Sequence, residues 1–430
     1  MGLQSGLLGG GAGGGAGGGA GGGAGGGAGG GAGGGAGGGA GGGAGGGAGG
    51  GAGGGAGGGA GGGAGGGAGG GAGDGMGYTS PYVAEALNRS RSAIIDPGET
   101  RPVWTLAPRS EAGEHDHAFH WDPWVRSFLM AQESTNTMEF QTDFVAFRGG
   151  RVPRVRLTVR DRRDGPRLPL ATLVAPPDSV FDAQVAKVLA WAELREERAP
   201  EIFTQIDGCL AFWGSIVPLQ SARMRHTREL IDAAMQMTMF VEMKLKHELA
   251  CWRPADRSWQ IQPMIRTPGH GALPSGHCTE AYVMAELLKA LLNCDGDDPA
   301  RRSVTTQFER LAQRISTNRV VAGVHFPVDN IAGRILGTAL GEYFAYLCGA
   351  RARNGAALTW HHATFLGQRC DGEIEFDPAT QPLSGSDAPG FYGFEPPARR
   401  PLTGPAGNSV LRELFERARH ECDDLRIAFG

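Results

Sequence analysis

Asn318-Arg319-Val320-Val321-Ala322-Gly323-Val324-His325-Phe326-Pro327-Val328-Asp329 is the stretch on which the reading of this chain turns. On either side, apolar residues recur at three- and four-residue spacing, over Ala300–Thr317 and Pro327–Leu347, the period of amphipathic helices. Pro327 suits the first turn of the second helix, because a first-turn N–H has no partner within the helix. His325 then stands just before that helix and Asp329 within its first turn. A carboxylate there can accept from one ring nitrogen of His325 and leave a lone pair on the other. Arg319 offers a planar fork of donors suited to an oxyanion. A lone histidine is ordinarily a satisfied core residue, so the neighbouring blocks decide.

Two blocks lie upstream. In Lys246-His247-Glu248-Leu249-Ala250-Cys251-Trp252-Arg253-Pro254, seven residues separate the two cations. That is close to two helical turns, so the spacing predicts Lys246 and Arg253 on one helix face, with Pro254 helping to end the helix. Alone, such a pair reads equally well as two solvated side chains. Pro274-Ser275-Gly276-His277 precedes another helical run. Helix N-termini attract anions, Gly276 allows close backbone approach, Ser275 can donate from its hydroxyl, and His277 is placed for proton transfer. Alone, this block also reads as an ordinary helix cap.

Taken in order, Lys-x6-Arg-Pro, Pro-Ser-Gly-His and Arg-x5-His-x3-Asp resemble the signature of the PAP2/vanadium-dependent haloperoxidase superfamily, over about residues 172–350. One position departs from it: Asn318 stands where the family usually has Ser. The resemblance implies a mainly α fold, a helical bundle of the PAP2/haloperoxidase type. It implies that Lys246, Arg253, Ser275, Gly276 and Arg319 hold the oxygens of vanadate or phosphate. His277 would be the acid–base residue, His325 would bond the central atom, and Asp329 would orient His325.

Two chemistries share that implied site. In a haloperoxidase, vanadate is the cofactor, bonded to His325, and halide is oxidised with hydrogen peroxide. In a soluble PAP2-type acid phosphatase there is no cofactor; a phosphomonoester is hydrolysed through a phosphohistidine at His325. The family's acid phosphatases are usually compact and secreted behind a signal peptide, which this larger chain lacks. His270 falls seven residues before His277, where the family's bromide-oxidising enzymes tend to carry histidine. The haloperoxidase reading therefore leads, with bromide preferred and the phosphatase as the alternative. A non-enzymatic oxyanion binder is a third reading, but five polar groups are costly to keep buried without a ligand.

Elsewhere the chain is less specific. Gly9–Gly73 repeats Gly-Gly-Gly-Ala, whose side chains never exceed methyl, so residues 1–75 read as a disordered linker. His115, His117 and His120 form an HxHxxH cluster, read as solvated surface more readily than as a metal site. Alternation over 144–174, with Gly149-Gly150 and Asp164-Gly165 as turns, predicts a small β-hairpin or three-strand meander with an arginine-rich solvated face. Helices are predicted over Phe181–Glu197, Pro200–Val217, Arg225–Ala250 and Gly276–Leu292, then the two flanking runs above. The expected domains are 76–177 with the hairpin, 178–350 as the catalytic bundle, and 351–430 as a loop region. That last segment ends in a helix, Ser409–Ile427, packed on the body or on a second subunit of a homodimer.

The net charge of −4 is well mixed and gives no reason to expect nucleic acid as a partner; small-molecule substrates are expected instead. The seven cysteines include no CxxC pair, which with the absent signal sequence reads as cytoplasmic. Ile331–Gly349 is interrupted by Arg334 and Glu342, so no membrane span is expected.

Overall fold

The computed structural model describes residues 38–39, 42–43, 81–94, 118–119, 121–148, 150–160, 165–206, 209–219, 223–294, 298–385, 388–395 and 409–424. Two compact units divide the chain, one spanning Ser5–Glu114 and the other His115–Gly430 together with Met1–Gln4. The first contains the helix Pro81–Ile94 and two paired two-residue strands, Gly38–Gly39 and Gly42–Gly43. The rest of the Gly/Ala tract, and the His115, His117 and His120 cluster, lie outside the described residues.

The larger unit begins with α1 Pro123–Thr135, β1 Glu139–Phe147, β2 Gly150–Arg160 and β3 Arg167–Val174. The helical body follows: α2 Asp178–Trp191, α3 Arg195–Thr204, α4 Cys209–Trp213, α5 Arg225–Leu249, α6 Pro254–Arg257, α7 Gly276–Leu291, α8 Pro299–Val321 and α9 Pro327–Leu347. It closes with β4 His362–Leu366, β5 Tyr392–Glu395 and α10 Ser409–Asp424. α10 packs on α5, where the Glu421 carboxylate accepts from the His226 and Thr227 N–H groups at the start of α5 (both 2.9 Å). Among the described residues no helix is long and apolar enough to cross a membrane. No disulfide joins the seven cysteines, and all are buried.

The fold is mostly helical, but it also carries a five-stranded sheet in the order β1-β2-β3-β4-β5. β1, β2 and β3 pair antiparallel; β4 joins β3 in parallel, Ala171 opposite Ala363, and β5 closes the edge antiparallel. β4 and β5 come from the Gly/Pro-rich segment after the bundle, where five- and four-residue strands carry too little periodicity to be read. Val155, Leu157 and Val159 of β2 point inward. Arg154 and Arg156, alternating with them in sequence, are paired with Asp143 of β1.

Two predicted helices break differently. Over 181–217 the chain forms α2, a 3-10 turn at Ala192–Leu194, α3 and the short α4. Pro200 lies inside α3 instead of starting a helix. An interior proline costs about 3 kcal/mol, and burial of Ile202 in a cluster with Val321, Ala322 and Val324 works against that cost.

What positions the site is the closeness of α7 and α9. Gly333, Gly337 and Gly341 recur at every fourth residue of α9, along one helix face. A Cβ on Gly337 would come 2.4 Å from the Thr279 carbonyl oxygen, and one on Gly333 2.8 Å from that of Ser275. At Gly341 it would meet the Glu286 Cβ at 2.6 Å. The three glycines therefore let the two backbones approach to a distance no larger residue allows.

Candidate active site

The first cation comes from the end of α5. That helix stops at Leu249 because Ala250 takes up the left-handed conformation, φ 49° and ψ 40°. Lys246 and Arg253 consequently do not share a helix face, contrary to the expectation from their spacing. Arg253 has extended backbone, and Pro254 opens α6 rather than ending α5. The two side chains converge through the loop that runs into α7. Lys246 Nζ donates to the carbonyls of Ala272 (3.4 Å) and Pro274. Arg253 Nε donates to the His270 carbonyl (3.0 Å), and its Nη1 to that of Val324 (2.7 Å).

The second block meets these cations at the start of α7. Ser275 occupies the N-cap position, yet its Oγ makes no capping bond and is buried without a hydrogen-bond partner. A Cβ on Gly276 would stand 2.9 Å from Glu242 Oε2, so the glycine also accommodates a carboxylate behind it. His277 Nε2 lies 3.2 Å from the Gln205 carbonyl and 3.5 Å from Arg319 Nη1. Donation from Nε2 to that carbonyl leaves the lone pair of the neutral ring on Nδ1.

The third block closes the site. Arg319, in the last turn of α8, is fully buried and donates from Nη2 to Gln205 Oε1 (2.9 Å) and the Ile202 carbonyl (3.3 Å). A turn through Gly323, φ 80°, then delivers His325 to the start of α9. His325 Nδ1 lies 3.1 Å from Asp329 Oδ2, which also accepts from the Phe326 N–H (2.9 Å). With the proton on Nδ1, Nε2 holds a lone pair, 3.0 Å from Arg253 Nη1. His270 joins the same cluster, its Nδ1 3.2 Å from Arg253 Nη2 and its Nε2 buried without a partner.

Burial controls the electrostatics. It pulls Lys246 down to about 8, and Arg253 and Arg319 to about 10. Burial, then the nearby Lys246, lowers His270 to about 4. His277 and His325 are held well below the ordinary histidine range, by burial first and by Arg319 and Arg253 respectively after it, so both rings are neutral near pH 7. Burial raises the Asp329 carboxyl to about 7, opposed by the Phe326 N–H and by Arg253 and Lys246.

Three dehydrated cations, with Ser275 Oγ and Arg319 Nε left without partners, form an arrangement that an anion completes. Among the described residues no group of three or more His, Cys, Asp or Glu could hold a metal ion. The donor set, one imidazole lone pair amid cations and hydrogen-bond donors, fits an oxyanion such as vanadate or phosphate and not a bare metal cation.

Residues 232–353, which contain all three blocks, match the family model described as PAP2 superfamily. They form a PAP2-superfamily domain. No curated protein gave a significant match to the chain. Enzymes of phosphatase or haloperoxidase type are what this domain supports. All the site residues singled out in the sequence, Lys246, Arg253, His270, Ser275, Gly276, His277, Arg319, His325 and Asp329, fall inside the PAP2 domain.

Sequence reasoning missed two residues that touch them. Gln205, at the end of α3, lies outside the matched segment, and nothing in its surroundings marks it. Glu242, one helical turn before Lys246, is fully buried with both carboxylate oxygens unpartnered. A carboxylate at that spacing from a lysine expected to be buried was the available signal.

Proposed function

We propose that the PAP2 domain is a vanadium-dependent haloperoxidase-like catalyst that oxidises halide, bromide in preference to chloride, with hydrogen peroxide. The observation that carries this reading is His270. Its ring lies within the cation cluster and is held neutral, and with Nδ1 donating to the Gly271 carbonyl (3.2 Å) it keeps an Nε2 lone pair buried without a partner. A second neutral imidazole beside the anion is placed to accept a hydrogen bond, and then the proton, of a small protic co-substrate such as hydrogen peroxide.

Bound vanadate would supply the activation of peroxide toward halide. The chain's own residues would do the rest. Lys246, Arg253, Arg319, the Ser275 hydroxyl and the Gly276 N–H would hold the anion's oxygens and spread their charge. His325 would present its Nε2 lone pair to the central atom, with Asp329 fixing the proton on Nδ1. His277 would hold or release a proton at an oxygen of the bound anion, and His270 would take one from the entering peroxide.

A second reading, phosphomonoester hydrolysis, is favoured by the neutral, Asp329-oriented ring of His325, which needs no cofactor to act as nucleophile. Nε2 would form the bond to phosphorus as the ester P–O bond breaks, and His277, protonated on Nδ1 with the charge of the bound ester supporting it, would hand that proton to the departing oxygen. Water, losing its proton to His277, would then cleave the phosphohistidine. The deciding experiment is a paired assay: bromide oxidation with vanadate and peroxide, against phosphomonoester hydrolysis without them. Bromide oxidation that requires vanadate supports the first reading. Ester hydrolysis inhibited by vanadate, with no halide oxidation at any pH, replaces it with the second.

A further inference from the structure

Gln205 is fully buried at the point where α3 ends, outside every block that pointed to the site. Its side-chain oxygen accepts from Arg319 Nη2 (2.9 Å) and from Asn318 Nδ2 (3.0 Å), while its main-chain carbonyl faces His277 Nε2 (3.2 Å). The orientation of the carboxamide follows from its neighbours, because guanidinium can only donate and therefore needs the oxygen. Asn318 is committed on both sides: Oδ1 accepts from Arg198 (3.1 Å), and Nδ2 donates to Glu201 Oε2 (3.0 Å) as well as to Gln205. A serine hydroxyl has a single proton and could not supply both of those donations.

We infer that Gln205 is the positioning residue that aims both Arg319 and His277 at a bound oxyanion, and that Asn318 is its clamp. The inference rests on the oxyanion-binding reading of the PAP2 site. The departure at position 318 thereby has a physical account: the amide serves α3 and Gln205 instead of the anion. Without the Gln205 oxygen, a buried Arg319 N–H loses its acceptor, and the guanidinium is no longer held in one plane. The turn after α3 also loses two of the bonds that hold the carbonyl facing His277.

The test uses the full chain and inorganic phosphate, with binding followed by titration calorimetry. Q205M, which keeps length but removes the acceptor, should weaken phosphate binding about 10-fold, the scale of one unsatisfied buried donor. N318S should weaken it less, and the double variant should be no weaker than Q205M alone, because both changes remove the same clamp. Q205E keeps the acceptor and adds a negative charge against Arg319, whose Nη1 lies 3.5 Å from His277 Nε2. By offsetting the Arg319 charge that depresses His277, it should raise the His277 pKa, read as the pH at which the imidazole proton signals shift, an effect that loss of packing alone would not produce. If Q205M does not fold, Q205N, which withdraws the oxygen by one methylene, poses the same question. Binding by the folded variant within about twofold of the parent, well inside the effect expected for one unsatisfied donor, overturns the inference. So does additive behaviour of Q205M and N318S. A parent protein that binds neither phosphate nor vanadate overturns the site reading itself.

Discussion

At the scale of single residues, the site combines a neutral imidazole with cations that burial has weakened. Among the described residues, His325 alone turns a lone pair to these cations while its other nitrogen is held by a carboxylate. His325→Ala should therefore abolish turnover of either chemistry while far-UV circular dichroism and melting temperature stay close to those of the parent. Near-normal turnover by that variant would remove His325 from the mechanism. The pH dependence follows from Lys246 and Glu242, both placed by burial at about 8. As pH rises through that value, either Lys246 loses its positive charge or Glu242 gains a negative one. Each change lowers the charge of the site by one, so affinity for phosphate should fall as pH rises through about 8, before Arg253 and Arg319, at about 10, lose their charge. A flat calorimetric profile there contradicts these assignments. Much of this scale was legible in the sequence, since the blocks name the anion-holding residues and the His325–Asp329 pair. Gln205 was not, because a glutamine's role depends on which carbonyls and guanidinium groups the fold brings to it.

At the scale of elements, the site depends on how closely α7 and α9 approach. α7 brings Ser275, Gly276 and His277; α9 brings Asp329 and, at its start, His325. Gly337→Ala would put a methyl 2.4 Å from a backbone oxygen that cannot swing aside, so the helices must part. The expected loss is roughly 1–3 kcal/mol in urea unfolding, the usual range for overpacking, with weaker phosphate binding alongside. An unchanged unfolding midpoint would mean the helices do not depend on that contact. The long helices α5, α7, α8 and α9 were legible because proline, aspartate and glycine punctuate strong three- and four-residue periods. The boundaries across 181–217 were not, because burial of Ile202 outweighs the local preference at Pro200.

At the scale of the molecule, the unit that ends at Gly430 contains the whole PAP2 domain and the sheet beside it. The Gly/Ala tract has no side chain that could add apolar burial. A chain starting at Met76 should accordingly show the same melting temperature and turnover as the full one. A loss of several degrees, on the scale of about 1 kcal/mol for a domain of this size, would show that the tract contributes to the fold. Residue types and spacings alone determined the PAP2 family resemblance, the candidate anion-binding residues, the main helices and the mixed, near-neutral charge. That information is local, carried by short motifs and helical periods. The five-stranded order of the sheet, the left-handed turn that parts Lys246 from Arg253, and the grip of Gln205 on Arg319 were decided only in three dimensions. The sheet order and the Gln205 grip join residues far apart in the chain, while the turn at Ala250 is held by bonds of Lys246 and Arg253 to distant carbonyls; the free energy that selects all three comes from burial and hydrogen bonding across elements, which no local pattern encodes.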